Sequence, residues 1–246
     1  MNFSANKKLF SVSQEKHEKF KKYFWIKNNP TQVEIEFYKK TENYIKYISW
    51  IPGLRMIWIW NSISMNCATP DSDIDLYIVT TPNRMWLVRI LVTFVFQILW
   101  VRKTPKHHAW RFCLSFFSTI NSLNFSKFAL EEDIYLYFWV LYFKPILDIN
   151  NNYNKFVEQN NTWSDFSKYS NIISENKKHI TCSKNISDKS IFSKLWDIFD
   201  ILLKKIFLPK TLKHYEKIWK PYGVIINSDM LKFHNWDVRK KMREII

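Results

Sequence analysis

The sequence predicts an α+β fold, on three observations. Residues 55–60 and 74–80 are short apolar segments at strand length, separated by a polar, turn-rich loop over 61–72. Stretches with helical periodicity lie on either side of them and recur toward the C-terminus. The 246 residues are 47% hydrophobic and 18% aromatic, too apolar for a disordered chain and rich enough to pack a sizeable core.

The elements follow in order. A charged segment over 12–25 is helical. In 32–50, Val33, Phe37, Tyr44, Ile45 and Ile48 recur at near-helical spacing until Pro52-Gly53 breaks the pattern. The strands 55–60 and 74–80 come next. Thr81-Pro82-Asn83 then introduces a long apolar helix over 84–101. A basic loop containing Arg102, Lys103, Lys106, His107 and His108 leads to a third strand over 111–118. A helix beginning near Glu131 carries an aromatic run and stops before Pro145; another helix occupies 150–160. Residues 164–190 are rich in Ser, Asn and Lys, and a basic amphipathic helix pair resumes over 191–220. The chain thus divides into a charged N-terminal arm (1–30), a core (31–160), a polar linker or insertion (161–190) and a basic helical C-terminal region (191–246).

Composition excludes several classes. A net charge of +15 predicts attraction to polyanions such as RNA, DNA, nucleotides or anionic membrane surfaces; a Lys-rich chain from an AT-rich genome is the plainer reading. The three cysteines, Cys67, Cys113 and Cys182, are far apart and form no C-x-x-C, which supports neither a zinc ribbon nor a disulfide framework and fits a reducing cytoplasm. The N-terminus lacks the apolar run of a signal peptide. Residues 85–101 fall just short of a membrane span and contain Arg89 and Gln97, so they read as a buried helix and membrane association is not expected. Glycine is scarce: ordinary usage of ~7% would give about 17, and the chain has 2, against 12 tryptophans. Gly-rich phosphate cradles of the Rossmann or P-loop kind are therefore absent.

Chemistry concentrates in the segment from Asn61 to Val79. Asp73 and Asp75 are two apart at the start of a strand, and the period of two points both carboxylates to one side. Like charges held that close repel unless a cation lies between them. Paired hard oxygen ligands suit Mg²⁺, which completes its shell with water and substrate phosphates. Upstream, a strand ends in a small-residue turn bearing Ser62, which can offer backbone N–H groups and a hydroxyl to a phosphate.

This segment resembles the polymerase-beta nucleotidyltransferase superfamily, whose signature is strand, Gly-Ser, short helix, then Asp-x-Asp on the next strand. In G-S-x-x-R-G-x-A-x-x-x-S-D-I-D-L, Ser62 takes the motif serine, Ala68 the alanine, Ser72 the second serine, and Asp73 and Asp75 the metal carboxylates, without a gap. Residues 83–89, 111–117, 134–139 and 230–234 look like a bacterial group of uncharacterised nucleotidyltransferase-like proteins. The resemblance implies a small mixed sheet flanked by helices. It further implies Mg²⁺-dependent transfer of a nucleotidyl group from an NTP to an acceptor, which RNA or another polyanion would fit. Asp73 and Asp75 would be catalytic and metal-binding; Asn61, Ser62, Ser72, Arg84 and Arg89 would contact the nucleotide. For Arg89, a buried pairing with a carboxylate is the equal alternative.

Three departures bear on activity. Asn61 and Asn66 stand where the motif has glycine, although Asn is the best non-Gly visitor to left-handed backbone. Met65 replaces the motif arginine. The superfamily's third carboxylate, expected on the next strand, has no counterpart in 111–118; Glu131, Glu132 or Asp133 would have to approach from the following helix. The alternative is therefore a catalytically inactive nucleotide- or RNA-binding module of the same fold. His107 and His108 read as a solvated loop. Asp237, beside His234 and Arg239, reads first as a helix cap. Trp60, Trp100, Trp110 and Trp236 stand at turns or helix ends where glycine is expected, with the Trp60 indole set to crowd a triphosphate. Trp86, Trp139 and Trp163 fall where the resembling group carries tryptophan. This pattern predicts UGA codons, read as glycine by the host, at some tryptophan positions.

Overall fold

A computed structural model describes residues 10–184, 193–235 and 237–246. Every residue of β1 (Leu54–Ile59) and β2 (Ile74–Thr80) is buried. That is why both read as nearly continuous apolar runs: helices cover both faces of the sheet. β1 pairs antiparallel with β2, and β2 pairs parallel with β3 (Phe112–Thr119). Parallel neighbours need a long crossover, supplied by α3 (Met85–Ile98).

Alternation along β1 and β2 sorts the core into two layers. Met56, Trp58, Trp60, Tyr77, Val79 and Phe116 face an aromatic layer built by α1 (Gln14–Tyr23), α4 (Ile134–Tyr142), α5 (Asn152–Asn160) and α8 (Arg239–Ile245). Ile57, Ile59, Leu76, Ile78 and Phe117 face an aliphatic layer closed by α2 (Gln32–Ile45) and α3. All nine residues of α4 are buried, as expected of a helix that is apolar on every side. In α1, Phe20 stacks on Phe138 at 3.7 Å, so this charged segment contributes a core residue.

The sheet is larger than the three expected strands: among the described residues it has seven, in the order β5-β4-β1-β2-β3-β7-β6. β4 (Lys144–Ile149) contains Pro145, the residue before which the aromatic helix is expected to stop. Pro145 lies opposite Trp58 where the β1–β4 register shifts, a place in a sheet that tolerates a missing N–H. Within 161–184, where composition suggested a linker, the chain forms α6 (Ser170–Lys177) and β5 (Cys182–Lys184), and β5 pairs parallel with β4. The expected helix pair over 191–220 is one helix, α7 (Ser193–Lys217), with Pro209 inside it. The C-terminal region also contributes strands: β6 (Val224–Ile226) and β7 (Met230–Phe233) form a hairpin that pairs with β3. Residues 1–9 and 185–190, parts of the expected arm and linker, lie outside the described residues. Among the described residues, no helix is long and apolar enough to cross a membrane.

The backbone bears on the glycine deficit. Four tryptophans, Trp25, Trp100, Trp110 and Trp219, adopt left-handed φ of 51°, 55°, 61° and 63°. For a bulky L-residue this conformation is strained. Trp60 is not among the left-handed residues, so the backbone does not ask for glycine there. Trp236 lies outside the described residues.

Candidate metal centre

The loop between β1 and β2 is held as a rigid turn. Asn61 takes φ 67° and Asn66 φ 55°, the left-handed conformations that the motif's glycines would supply. The Asn61 carbonyl accepts from Met65 N–H and from the Ser64 hydroxyl, and the Ser62 carbonyl accepts from Cys67 N–H. From α2, Glu34 accepts the Ala68 N–H at 2.9 Å, tying the loop to the helix below it. Ser72 closes the final turn: its Oγ accepts the Thr69 N–H at 2.9 Å, so this hydroxyl shapes the loop.

Asp73 and Asp75 emerge from this turn as expected, and the structure joins a third group to them. β3 runs parallel to β2 with Cys113 in register with Asp75. Ligand atoms of Asp73, Asp75 and Cys113 all lie within 4.8 Å of one another. Cys113 therefore occupies the next-strand position at which the sequence reading sought a third acid. The helix candidate Asp133 is elsewhere: its carboxylate accepts from the Leu130 and Leu136 N–H groups and pairs with Arg239.

Like charges crowd at the cluster. Asp75 is buried, and burial together with the Asp73 charge pushes its carboxyl up to about 6, against the opposing hydrogen bond from Asn61. Asn61 Nδ2 donates to Asp75 Oδ2 at 2.9 Å, and Tyr135 O–H on α4 donates to Asn61 Oδ1 at 3.2 Å, so a chain of two hydrogen bonds orients the carboxylate. The Lys103 ammonium lies 2.7 Å from Asp73 Oδ2 and supplies positive charge locally. Burial pushes the Cys113 thiol up, as does the Asp75 charge, and its Sγ donates to Ser115 Oγ at 3.3 Å.

The two predicted arginines part company. Arg84 lies beyond the opposite end of β2 from the carboxylates, so it is not placed to touch a nucleotide held there. Its guanidinium instead pairs with Asp197 and donates to the Ser193 carbonyl at 2.6 Å, clasping the start of α7. Arg89 lines a cavity together with Lys103 and Cys113, and its guanidinium lies 4.2 Å from the centre of the Phe233 ring. The Trp60 indole does not crowd the loop. It is fully buried in the aromatic layer, 4.6 Å from Trp139 and 4.7 Å from His234. Val238, not Asp237, is the N-cap of α8; Asp237 accepts the Arg239 N–H at 3.1 Å and forms ion pairs with Lys232 and Arg239.

Sequence reasoning missed Lys103 and Cys113. The signal for Cys113 was its place on the strand following Asp-x-Asp; the signal for Lys103 was only its membership of a basic loop. Comparisons of this chain with protein families, with curated proteins and with solved structures return no match.

Proposed function

We propose that this chain is a divalent-metal-dependent nucleotidyltransferase in which Asp73 and Asp75 hold the metal. The observation that carries the reading is the placement of both carboxylates at the mouth of β2, next to a left-handed Asn61 turn that orients one of them. The carboxylate pair fits Mg²⁺, which takes one or two carboxylates and fills its shell with water and phosphate oxygens. The thiol beside them is a softer ligand than the oxygen donors Mg²⁺ prefers. When bound, a divalent ion would supply charge stabilisation to the attacking and leaving oxygens at an NTP α-phosphate. Asn61 keeps the Asp75 carboxylate aimed at the cluster. Lys103 must release Asp73 or share it when a cation binds.

A second reading, an inactive nucleotide- or RNA-binding module, is favoured by two observations: Cys113 stands where an acid was expected, and the Lys103 ammonium already neutralises Asp73. Isothermal titration of Mg-NTP tests the site. The double variant Asp73→Ala/Asp75→Ala should bind at least roughly tenfold more weakly than wild type, the equivalent of one lost charged contact of about 1.5 kcal/mol. Equal binding would show that the site is misplaced. Pyrophosphate release in the presence of acceptor pools then separates the two readings: sustained release marks the enzyme, and binding without release marks the module.

A further inference from the structure

We propose that the cavity beside the carboxylate cluster is the acceptor subsite, and that it takes a phosphate monoester carrying a planar or apolar group. This rests on the nucleotidyltransferase reading for the word acceptor, but not for the ligand chemistry. The cavity, of about 450 Å³, lies between α3, β3 and α7. Arg89, Arg102, Lys103, Lys210 and His214 converge on it, and no acidic residue is among the described residues that line it. Lys103 is already paired with Asp73, but Arg89, Arg102 and Lys210 bring positive charge to a lining that holds no carboxylate among the described residues, which favours an anion.

The second observation is the state of Arg89. Its Nη1 is buried and has no hydrogen-bond partner among the described residues. A guanidinium presents five donors in a planar fork that matches phosphate, and leaving one buried donor unmade is costly. The guanidinium packs on the Phe233 ring, and among the described residues it has no carboxylate in salt-bridge contact. Phe207, Tyr215 and Phe233 add apolar surface to the lining beside the cations, which selects for a ligand that is more than a bare phosphate. Cys113 and Lys103 belong both to this cavity and to the carboxylate cluster, so a ligand anchored at Arg89 lies next to the metal seat.

Calorimetric titration with phenyl phosphate and with inorganic phosphate, in the absence of divalent metal, tests the assignment. Phenyl phosphate should bind wild type more tightly than inorganic phosphate. Lys210→Gln/His214→Gln, two exposed changes on α7 that leave the core alone, should weaken phenyl phosphate by roughly tenfold, as should Arg89→Met if it folds. Asp73→Asn/Asp75→Asn should leave it unweakened, which separates failure of this subsite from failure of the metal-site reading. Phenyl phosphate binding that survives the α7 double variant, or that is lost equally in the distant surface change Lys240→Gln, overturns the proposal. Preference for inorganic phosphate overturns the apolar half of it.

A different observation carries a second inference, about the identity of four residues. Trp25, Trp100 and Trp219 each follow a helix, α1, α3 and α7, at the position where the chain turns into left-handed backbone. Each makes the same pair of bonds. Trp25 N–H donates to Lys22 O and Ile26 N–H to Lys21 O; Trp100 N–H donates to Gln97 O and Val101 N–H to Phe96 O; Trp219 N–H donates to Glu216 O and Lys220 N–H to Tyr215 O. This is the Schellman arrangement, whose left-handed residue is usually glycine. The three indoles are 81%, 75% and 92% exposed, so none of them offsets the backbone cost by packing. Trp110 has the same left-handed backbone.

We infer that the natural residue at 25, 100, 110 and 219 is glycine, encoded by UGA in a host that reads this codon as glycine. The gene should carry UGA at these four positions and UGG at Trp86, Trp139 and Trp163. Peptide masses from the protein isolated from its host should correspond to glycine at 25, 100, 110 and 219. UGG at positions 25, 100 and 219, or peptide masses showing tryptophan there, overturns the inference. So does UGA at Trp86, Trp139 and Trp163 with tryptophan in the peptides.

Discussion

Single residues in this chain perform tasks their type makes unusual. His234 is packed between Trp60 and Trp139, with Nδ1 buried and unpartnered among the described residues. Burial, reinforced by the Lys232 charge, pushes the imidazole down to about 3. An unfolded histidine takes up its proton near 6.5. As pH falls from about 6.5 toward 3, the unfolded chain therefore binds a proton that the folded chain refuses, and stability is lost across that window. His234→Phe removes the titrating group and the unpaired nitrogen while keeping an aromatic ring in the nest. The variant should match wild type to within about 1 kcal/mol at neutral pH and be the more stable protein near pH 4 to 5. Urea midpoints measured across pH check this, and parallel profiles for the two proteins would show that His234 is not responsible. Asn61 is the other pivotal residue, since one side chain both accepts left-handed backbone and holds Asp75.

At the scale of elements, the helices on the aliphatic side are joined by charged clasps rather than by apolar surface alone. The first turn of α3 leaves amide groups without intrahelical partners, and Asp200 on α7 reaches one of them: its Oδ1 accepts the Leu87 N–H at 2.8 Å. Arg84 completes the clasp from α3 to Asp197 and Ser193. Asp200→Ala removes a cap supplied from another helix, and should cost about 1–2 kcal/mol. Asp200→Asn, which keeps an acceptor oxygen, should cost less. Thermal unfolding of both variants orders them, and equal losses would indicate that Asp200 acts through charge rather than through the Leu87 bond. The clasp also explains why Arg84 was misread: in sequence it flanks Asp-x-Asp, but β2 carries it to the far end of the sheet.

Across the whole molecule, the C-terminus is anchored by a buried network of charges. Arg239 Nη1 donates to Asp133 Oδ2 at 3.1 Å and to the Phe128 carbonyl, while Arg239 Nε donates to both Asp237 oxygens at 2.9 Å. Lys232 on β7 lies 3.2 Å from the same Asp237. These groups link α8, the β7 strand and the start of α4 across the aromatic layer. Arg239→Leu leaves two buried carboxylates short of their partner and should destabilise the fold by roughly 3–5 kcal/mol. Chemical denaturation measures this; a loss below about 1 kcal/mol would mean that the network is replaceable by apolar contact. The same anchoring holds β7 against β3, and so fixes Phe233 beneath Arg89 in the cavity.

Local pattern was sufficient for the elements whose chemistry is local. β1, β2, β3, α3 and α4 were legible because apolar periodicity and turn residues are written along the chain. The pair Asp73 and Asp75 was legible because a two-residue period places both on one side of any strand. Three features depended on residues far apart in sequence. Pro145 lies in a strand because Trp58, some ninety positions earlier, offers a register shift opposite it. Cys113 joins the carboxylates because β3 pairs parallel to β2 in one register rather than another. Arg84, at the cap of α3, and Arg89, inside it, were separated in role by what packs on each: the start of α7 on one and Phe233 of β7 on the other. Backbone preference and side-chain period act between neighbours, so sequence alone reveals them. Strand register and helix docking are settled by the burial of whole faces, and only the folded chain shows which polar groups those faces bring together.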